Sequence, residues 1–454
     1  MIHSFKFVRK GKPYYFTWDV EGGSLFGIDL PVFLLLKKQF ETLTDEENAM
    51  YLALSAEERA EAEAEIKSVI DEGLLMTPVP DIDYHKREEI KALCIHICHD
   101  CNLSCEYCFA SEGTYNTPHD YISADTGKKA IDFLISHSGA RKNLEVDFFG
   151  GEPLLNMSVV KEIVNYGRKA CADAGKTISY TMTTNCILLD EKTREYLDRE
   201  MENVVLSIDG RPCVHDRVRK SKNGKDTHAV VLKNALAMAQ LRGDKKHYAR
   251  GTFTAYNLDF ASDVQHLSDA GFHQISVEPV VLPESSPMAI QKEHMGKICD
   301  EYDKLANLYL DRIGTDKWFN FFHFMIDLKH GPCLHKRLNG CGAGADYVAV
   351  SPIGDIYPCH QFVGETDFRM GSVLTGEFNR EIQRKFSDVD VRKKEDCSNC
   401  FAKYYCSGGC AANAHHFNGD IKKPYKQACE MSKKRLELSL ALYAFENGLV
   451  DEND

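Results

Sequence analysis

From residue 93 onward the sequence alternates between short apolar runs and longer amphipathic stretches, the pattern of strands followed by helices. The predicted strands are Leu93–Cys98, Leu144–Phe149, Ile178–Thr183, Val204–Ile208, Ala249–Thr254 and Gln274–Val277. The predicted helices between them include Ala124–Ser136, Ser158–Ala174 and Glu191–Arg199. Strand–helix repetition of this kind requires parallel strands. It predicts an α/β fold with a partial (β/α)6 TIM-like barrel over residues 93–328, in which residues 289–328 are mostly helical. On such a barrel, functional side chains are expected at the carboxyl ends of the strands.

A smaller domain is predicted before the barrel, over residues 1–80. Its expected elements are a hairpin of Phe5–Val8 and Tyr14–Trp18, followed by helices Pro31–Leu43 and Glu57–Leu75. This β-β-α-α order predicts a winged-helix-like module. The polar, proline-containing segment that follows is interpreted as a linker, assigned to residues 81–92.

Charge and hydropathy exclude two classes of protein. The chain has 454 residues and a formal net charge of −13, which argues against binding of nucleic acid. Its densest apolar run, Leu30–Leu36, is too short to cross a bilayer. The amino terminus lacks the apolar segment of a signal peptide, so no membrane partner and a cytoplasmic location are expected.

Three cysteines, Cys101, Cys105 and Cys108, follow the first predicted barrel strand in a C-x3-C-x2-C pattern. They supply three thiolates from one loop, which would leave one iron of a four-iron cluster without a protein ligand. A structural zinc site normally takes four protein ligands. The alternative interpretation is a structural zinc site or an inert cysteine cluster.

Polar and glycine-rich turns follow three further predicted strands. These are Gly150-Gly151-Glu152-Pro153, Thr183-Thr184-Asn185 and Ser207-Ile208-Asp209-Gly210, with Arg219 shortly after the last of them. Glycines allow the backbone to approach a ligand, and a carboxylate accepts hydrogen bonds from an ammonium group. Each turn alone is more often structural, but their recurrence at successive strand ends favours a binding site.

A second group of cysteines lies in the carboxyl-terminal part, assigned as a domain over residues 329–454. Its members are Cys341, Cys359, Cys397, Cys400, Cys406, Cys410 and Cys429. In a chain expected to be cytoplasmic, clustered cysteines favour metal ligation over disulfides. The segment is rich in turns, so we expect it to bury little core and to depend on metal for folding. Two zinc sites are the alternative.

The cysteine loop, with Tyr107 and Phe109 around its last cysteine, resembles that of the radical S-adenosylmethionine (SAM) enzymes. The resemblance implies a SAM-binding [4Fe-4S] cluster held by the three cysteines. It further implies that SAM contacts come from Tyr107, Gly150, Gly151, Glu152, Pro153, Asn185, Ser207, Asp209 and Arg219. In that family the glutamate motif binds the SAM amino group, the serine and aspartate contact the ribose, and the arginine pairs with the carboxylate.

The second cysteine group resembles the SPASM extension, which carries two auxiliary [4Fe-4S] clusters. The resemblance places Cys341, Cys359 and Cys410 on the first auxiliary cluster. It places Cys397, Cys400, Cys406 and Cys429 on the second. The first set is one ligand short, so either Cys333 completes it or one iron is open; we favour the open iron. Sulfatase-maturing relatives use an aspartate as a base directly after the second cysteine, where this chain has His360.

The complete architecture resembles the SCIFF maturases, which act on a cysteine-rich ribosomally made peptide with a leader. That resemblance implies a winged-helix-like leader-recognition domain and an intrapeptide thioether joining a cysteine sulfur to an α-carbon, that of threonine in this family. Electrons would come from a low-potential donor such as flavodoxin or ferredoxin. Two alternatives stay open: another radical SAM oxidation, such as formylglycine formation or epimerisation, and a non-catalytic zinc-binding protein.

Overall fold

The structure, a computed structural model, describes residues 1–81, 88–331 and 333–450. Residues 82–87, which are half of the linker assigned to residues 81–92, lie outside the described residues, as do the last four residues of the chain. The strands are β1 (Ile2–Arg9), β2 (Lys12–Asp19), β3 (Leu25–Ile28), β4 (Ala92–Cys98), β5 (Leu103–Cys105), β6 (Asn143–Gly150), β7 (Thr177–Thr184), β8 (Asn203–Ser207), β9 (Arg219–Ser221), β10 (His247–Phe253), β11 (Gln274–Pro279), β12 (Asn320–Phe321), β13 (Tyr347–Val350), β14 (Asp355–Tyr357), β15 (Gly371–Ser372) and β16 (Glu377–Phe378).

The described residues also form sixteen α-helices. They are α1 (Leu30–Phe40), α2 (Asp45–Ala53), α3 (Ala56–Asp71), α4 (Ala124–His137), α5 (Met157–Asp173), α6 (Glu191–Glu200), α7 (Pro212–Val218), α8 (His228–Arg242), α9 (Phe260–Ala270), α10 (Met295–Arg312), α11 (Leu334–Asn339), α12 (Arg380–Ser387), α13 (Glu395–Ser398), α14 (Lys403–Cys406), α15 (Ala411–Asn418) and α16 (Lys426–Glu446).

A central sheet with a parallel core organises the molecule. Strands β4, β6, β7, β8, β10 and β11 are neighbours in sequence order, and each adjacent pair is parallel. This order confirms the six predicted strand–helix units, each within a few residues of its predicted bounds. Every residue of β4 is buried, because helices or loops cover both faces of a parallel sheet. The carboxyl ends of these strands therefore meet at one edge, where β4 leads into the cysteine loop.

The amino-terminal region differs from its prediction. It contains an additional strand, β3, and an additional helix, α2, so its order is β-β-β-α-α-α and the predicted β-β-α-α order is wrong. None of the residues of helix α2 is buried, so the helix needs no apolar stripe that a sequence pattern could reveal. It is delimited instead by a capping box, in which Thr44 and Glu47 exchange hydrogen bonds.

The amino-terminal sheet packs against the long carboxyl-terminal helix. The rings of Phe7 and Tyr14 meet the ring of Phe445 on α16 edge-on, at 5.9 and 4.9 Å. Arg9 of β1 pairs with Asp311 of α10 at 2.7 Å. The same apolar core therefore includes residues from both ends of the chain.

The carboxyl-terminal region buries more apolar surface than its sequence predicts. Phe362, Phe368 and Phe386 are buried together in a separate apolar cluster, which corrects the expectation of little core. Strand β13 pairs in parallel with β4 and so joins this region to the central sheet. Within residues 289–328 the α-helix spans only Met295–Arg312, and β12 extends the parallel sheet beyond β11.

Spanning a membrane would need a longer and more apolar helix than any found in the described parts of the chain.

Candidate active site

The cysteine loop is held in place by a short ladder formed with a distant segment. Strand β5 pairs antiparallel with β9, and Cys105 lies opposite Arg219 in this register. The backbone N–H of Glu106 also donates to the carbonyl of Val218 at 2.9 Å. The ladder brings the loop that carries the cysteines beside the arginine that sequence comparison assigned to the SAM carboxylate.

The sulfur of Cys101 accepts hydrogen bonds from two sides. The backbone N–H of Leu103 donates to it at 3.4 Å, and Nδ2 of Asn185 lies 3.6 Å away. Donors directed at a sulfur stabilise its thiolate form, which is the form that binds metal. Burial, followed by the charge of Glu152, raises the pKa of the free Cys101 thiol to about 12, so metal binding would release a proton there.

The glycine turn after β6 packs directly on the cysteine loop. A Cβ atom on Gly151 would lie 1.9 Å from the carbonyl oxygen of Asp100, and Gly150 has a φ of +114°. The N–H of Gly151 donates to the carbonyl of Cys98, and the N–H of Glu152 donates to the carbonyl of Asp100, both at 2.9 Å. Glycine is therefore required at these two positions for the two loops to meet.

Glu152 is a buried carboxylate with several donors around it. Its Oε2 accepts from the backbone N–H of Asn185 at 2.7 Å, and its Oε1 accepts from Thr184 Oγ1 at 2.9 Å and from the N–H of Leu154 at 3.0 Å. Burial raises its pKa to about 7, although these hydrogen bonds act in the opposite direction. The carboxylate thus joins the ends of β6 and β7 and would be stabilised by a nearby cation. Pro153 begins the short 3-10 helix that follows.

Asp209, Tyr107 and Arg219 form one buried network at the end of β8. Tyr107 donates to Asp209 Oδ2 at 2.5 Å, and Arg219 Nε donates to the same oxygen at 2.9 Å. The other oxygen of Asp209 accepts from the backbone N–H of Thr252 at 3.0 Å. The guanidinium lies 5.6 Å from the Tyr107 ring centre. Asp209 accepts from Nε of Arg219, and within the described residues the two terminal nitrogens of Arg219 have no acceptor, so they can bind a carboxylate.

Most of the predicted SAM contacts come together, while Ser207 is placed differently. Ser207 ends β8 opposite Arg250 of β10, and within the described chain its side chain takes no part in the Asp209 network. Asn185 connects Glu152 to the cysteine loop by donating to Asn102 Oδ1 at 2.7 Å. Hydrogen bonds therefore connect the ends of β6 and β7 to each other and to the cysteine loop.

The two predicted auxiliary sets are also brought together. The leading electrostatic neighbours of the Cys429 thiol, after burial, are Cys406, Cys397 and Cys400, and together they raise its pKa to about 11. Those of Cys359 are Cys410 and Cys341. The leading neighbours of Cys429 thus come from the set of four and those of Cys359 from the set of three, while the assignment of each set to a cluster stays a prediction.

Cys333 is exposed at the N-cap of α11. His360, directly after Cys359, is half-buried, and its ring lies 5.6 Å from the ring of Phe109 and 5.0 Å from that of Phe149. Burial lowers the pKa of His360 to about 4, so its imidazole is neutral at physiological pH. The site thereby has a neutral ring where the sulfatase-maturing relatives have a carboxylate.

The cysteines outside these sets are mostly buried, as expected. Cys94, Cys98, Cys171 and Cys186 are buried, Cys299 is half-buried and Cys213 is exposed. Cys98 donates to the carbonyls of Asp100 and Glu152 at 3.3 and 3.2 Å. The four buried thiols act as small core side chains.

Two residues of the site were not predicted. Asn102 lies in the cysteine loop, and its Nδ2 is buried without a hydrogen-bond partner, so it is a donor available to a ligand. Lys394 is a buried lysine whose leading thiol neighbours are Cys397, Cys406 and Cys429. The only sequence signal for either residue is its closeness to a cysteine along the chain.

The arrangement fits a bound iron–sulfur cluster and SAM. Within the described residues, Asn102 Nδ2 and the two terminal nitrogens of Arg219 have no acceptor, so these polar donors remain for a ligand. Among the described residues, no three His, Cys, Asp or Glu side chains are arranged to hold a single metal ion. A four-iron cluster does not require such an arrangement, because each thiolate binds a different iron.

Comparison with known proteins also indicates a 4Fe-4S cluster and SAM. A family model described as "4Fe-4S single cluster domain" matches residues 91–231. The radical SAM cyclopropyl synthase TigE of Paramaledivibacter caminithermalis is 24% identical over 76% of this chain and 73% of its own length. An uncharacterised protein of Methanocaldococcus jannaschii is 30% identical over 61% of this chain and 86% of its own length. The serine-type anaerobic sulfatase-maturating enzyme of Bacteroides thetaiotaomicron is 23% identical over 73% and 84%.

Solved structures share the fold. The structure of anSMEcpe with bound AdoMet and a peptide has a TM-score of 0.64 and 19% identity, covering 79% of this chain and 99% of that one. Streptococcus suis SuiB bound to S-adenosylmethionine has a TM-score of 0.53 and 16% identity, covering 90% and 94%. The relatives by sequence, the cluster-domain match and the site geometry agree, and the chain therefore belongs to the radical SAM/SPASM-type family of enzymes, which use a 4Fe-4S cluster and SAM.

Proposed function

We propose that the protein is a peptide maturase that forms a thioether crosslink within a cysteine-rich, ribosomally made peptide. The observation that carries the proposal is the unequal division of the auxiliary cysteines. Cys341, Cys359 and Cys410 form a group of three, while the other group has four. A cluster with three protein thiolates retains one open iron, and a substrate thiolate is a suitable ligand for it.

Each residue of the proposed SAM-binding site has a specific role. Cys101, Cys105 and Cys108 would hold the first cluster, which together with bound SAM would supply the one-electron chemistry for hydrogen-atom abstraction from the substrate. Asn185 and Leu103 support the Cys101 thiolate. Glu152 accepts from the SAM ammonium group, while the free nitrogens of Arg219 bind its carboxylate. Tyr107 holds Asp209 in position for the ribose. Ser207 lies outside this network and would contact the ribose separately.

The two auxiliary cysteine sets have different proposed roles. Three [4Fe-4S] clusters are proposed in all, and Cys397, Cys400, Cys406 and Cys429 ligate the last one completely. A fully ligated cluster cannot bind substrate, so its role is electron transfer. Crosslinking breaks one C–H and one S–H bond, makes one C–S bond and leaves one electron to be accepted.

The substrate is proposed to be a precursor peptide with a leader, bound through the winged-helix-like module of residues 1–80. The barrel of residues 93–328 and the SPASM domain of residues 329–454 would act on its core. Two related structures support a peptide substrate, since SuiB was solved with the precursor peptide SuiA and anSMEcpe with a bound peptide. A low-potential flavodoxin or ferredoxin is the proposed donor, in the cytoplasm.

Sulfatase-type formylglycine formation is the second candidate, favoured by the similarity to sulfatase-maturating enzymes. Against it, His360 stands where those relatives use an aspartate base. The neutral imidazole of His360 lies between two phenylalanine rings, a poor environment for a cationic conjugate acid.

The test is an anaerobic reaction with SAM, a reductant and a purified cysteine-rich precursor peptide. A thioether lowers the peptide mass by two hydrogens and removes one alkylatable thiol, with both crosslinked residues found in one fragment by tandem mass spectrometry. Conversion of a cysteine to formylglycine without loss of another thiol would assign the second candidate. Zinc without iron or sulfide in the purified protein would overturn both.

A further inference from the structure

A cleft of about 320 Å³ opens on the surface beside the second auxiliary cysteine set. Its lining comes from the turn before α13 and from the segment between α15 and α16. The charged residues around it are Lys393, Lys394, Glu395, Asp396, Asp420, Lys422, Lys423 and Lys426. Five lysines and three carboxylates thus surround the cleft, in a chain whose formal net charge is −13.

The lysines at the rim are available to a partner. Lys393, Lys422 and Lys423 are exposed, and within the described residues none of them forms an ion pair. Lys426 is the exception, because its ammonium group pairs with Asp396 at 2.6 Å. Glu395 and Asp420 at the same rim also form no ion pair within the described residues, so the unpaired charges leave a small positive excess. A positive excess at the rim of a cleft favours the approach of an acidic surface.

Lys394 connects the cleft to the cysteines. It is 4% exposed, and its ammonium donates to the carbonyl of Gly408 at 2.8 Å. The thiols of Cys397, Cys406 and Cys429 are its leading charged neighbours, followed by Cys410 of the other set. The inner end of the cleft therefore lies next to the cluster that the proposed function assigns to electron transfer.

We propose that this cleft is the docking site of a small acidic electron-carrier protein that exchanges one electron with the second auxiliary cluster. The proposal rests on the proposed function for the presence of that cluster. During crosslinking, the substrate carbon gives up a hydrogen atom and the thiol gives up a proton to solvent. The remaining electron leaves through the auxiliary clusters and reduces the oxidised carrier by one electron.

The test compares two charge-reversed variants of the reconstituted enzyme. Lys422→Glu/Lys423→Glu changes the cleft rim, while Lys169→Glu/Lys233→Glu changes two exposed lysines on α5 and α8 by the same charge. The probe is a purified acidic bacterial ferredoxin, whose affinity and electron-exchange rate are measured anaerobically by interferometry and stopped-flow absorbance. At an ionic strength of about 0.05 M we expect the rim variant to lose about tenfold or more in both quantities.

The salt dependence separates docking from damage to the fold. At about 1 M salt, where charges are screened within about 3 Å, the rim variant and the wild type should exchange electrons at the same rate. Equal ferredoxin affinity of the two variants at low salt would overturn the proposal. Iron analysis of the same samples reports separately on the clusters, so a protein with too little iron would contradict the proposed function instead.

Discussion

Cys105 and Arg219 lie opposite each other in the short antiparallel ladder between β5 and β9. Their side chains belong to different parts of the proposed site, a cluster ligand and a carboxylate-binding cation, yet one pair of strands fixes both. The ladder thus couples the position of the cluster to the position of SAM. Changes to the arginine should therefore affect binding of the cofactor and the stability of the fold together.

Replacement of Arg219 by alanine is expected to weaken SAM binding by about ten- to a hundredfold, the usual effect of losing a charged hydrogen-bond partner. It also leaves the fully buried carboxylate of Asp209 without its cation, which costs about 3 to 5 kcal/mol of folding free energy. Calorimetric titration with SAM and urea unfolding measure the two effects. The control is Arg217→Ala, because Arg217 is exposed and stacks only on Tyr256 at 3.6 Å.

A second substitution tests the origin of the stability loss. In Arg219→Ala/Asp209→Asn the buried charge is absent, so part of the folding free energy should return while SAM binding stays weak. If the double variant were no more stable than Arg219→Ala, the ion pair would not be the cause.

Gly151→Ala is expected to abolish incorporation of the first cluster. The added Cβ would lie 1.9 Å from the carbonyl oxygen of Asp100, so the glycine turn and the cysteine loop would have to separate. Gly296→Ala is the matched control, since nothing lies within 4 Å of its Cβ and alanine favours the helix α10 by about 0.5 to 1 kcal/mol. Iron and sulfide content together with thermal unfolding distinguish the two, and normal iron content in Gly151→Ala would contradict the packing argument.

The parts of the fold that could be predicted are those with local signals. Strand β4 is buried along its whole length, so its sequence is a continuous apolar run that identifies it. Helix α2 has no buried residue and hence no periodicity to detect. Strands β5 and β9 have three residues each and exist only because distant segments meet, which no local pattern reveals.

The residues of the candidate site could likewise be predicted only where the signal is local. The spacing of Cys101, Cys105 and Cys108 is local, so the sequence alone identified the loop. That Asn185 Nδ2 would lie near the Cys101 sulfur depends on the packing of two strand ends, and Lys394 becomes notable only when the surrounding cysteines are in place. Local spacing thus finds ligands, while their supporting residues require the fold.

Single cysteine substitutions should show which thiols bind clusters. With three [4Fe-4S] clusters the enzyme is expected to contain about twelve irons, and Cys429→Ser should lower this to about eight. Cys341→Ser should lose the first auxiliary cluster in the same way. Cys333→Ser should retain all the iron, because the proposed first auxiliary cluster has Cys341, Cys359 and Cys410 as its protein ligands and one open iron. Exposed Cys213 provides the control, Cys213→Ser. Loss of iron in Cys333→Ser would contradict an open iron.

The contact between the amino-terminal module and α16 should depend on pH through His3. Its ring is hydrogen-bonded to Glu41 at 3.1 Å and to Glu437 at 2.9 Å. Burial alone lowers the pKa of His3, but the two carboxylates outweigh it and raise the pKa above 6.5. A raised pKa in the folded state contributes stability that is fully present below the unfolded pKa of about 6.5 and is lost as pH rises through the folded value. His3→Gln should therefore be less stable than the wild type in acid, with the difference shrinking toward alkaline pH, as measured by thermal unfolding.

The matched variant His330→Gln alters a histidine that is 83% exposed and should follow the wild-type curve. Parallel curves for wild type and His3→Gln would show that this histidine does not couple docking of the module to pH.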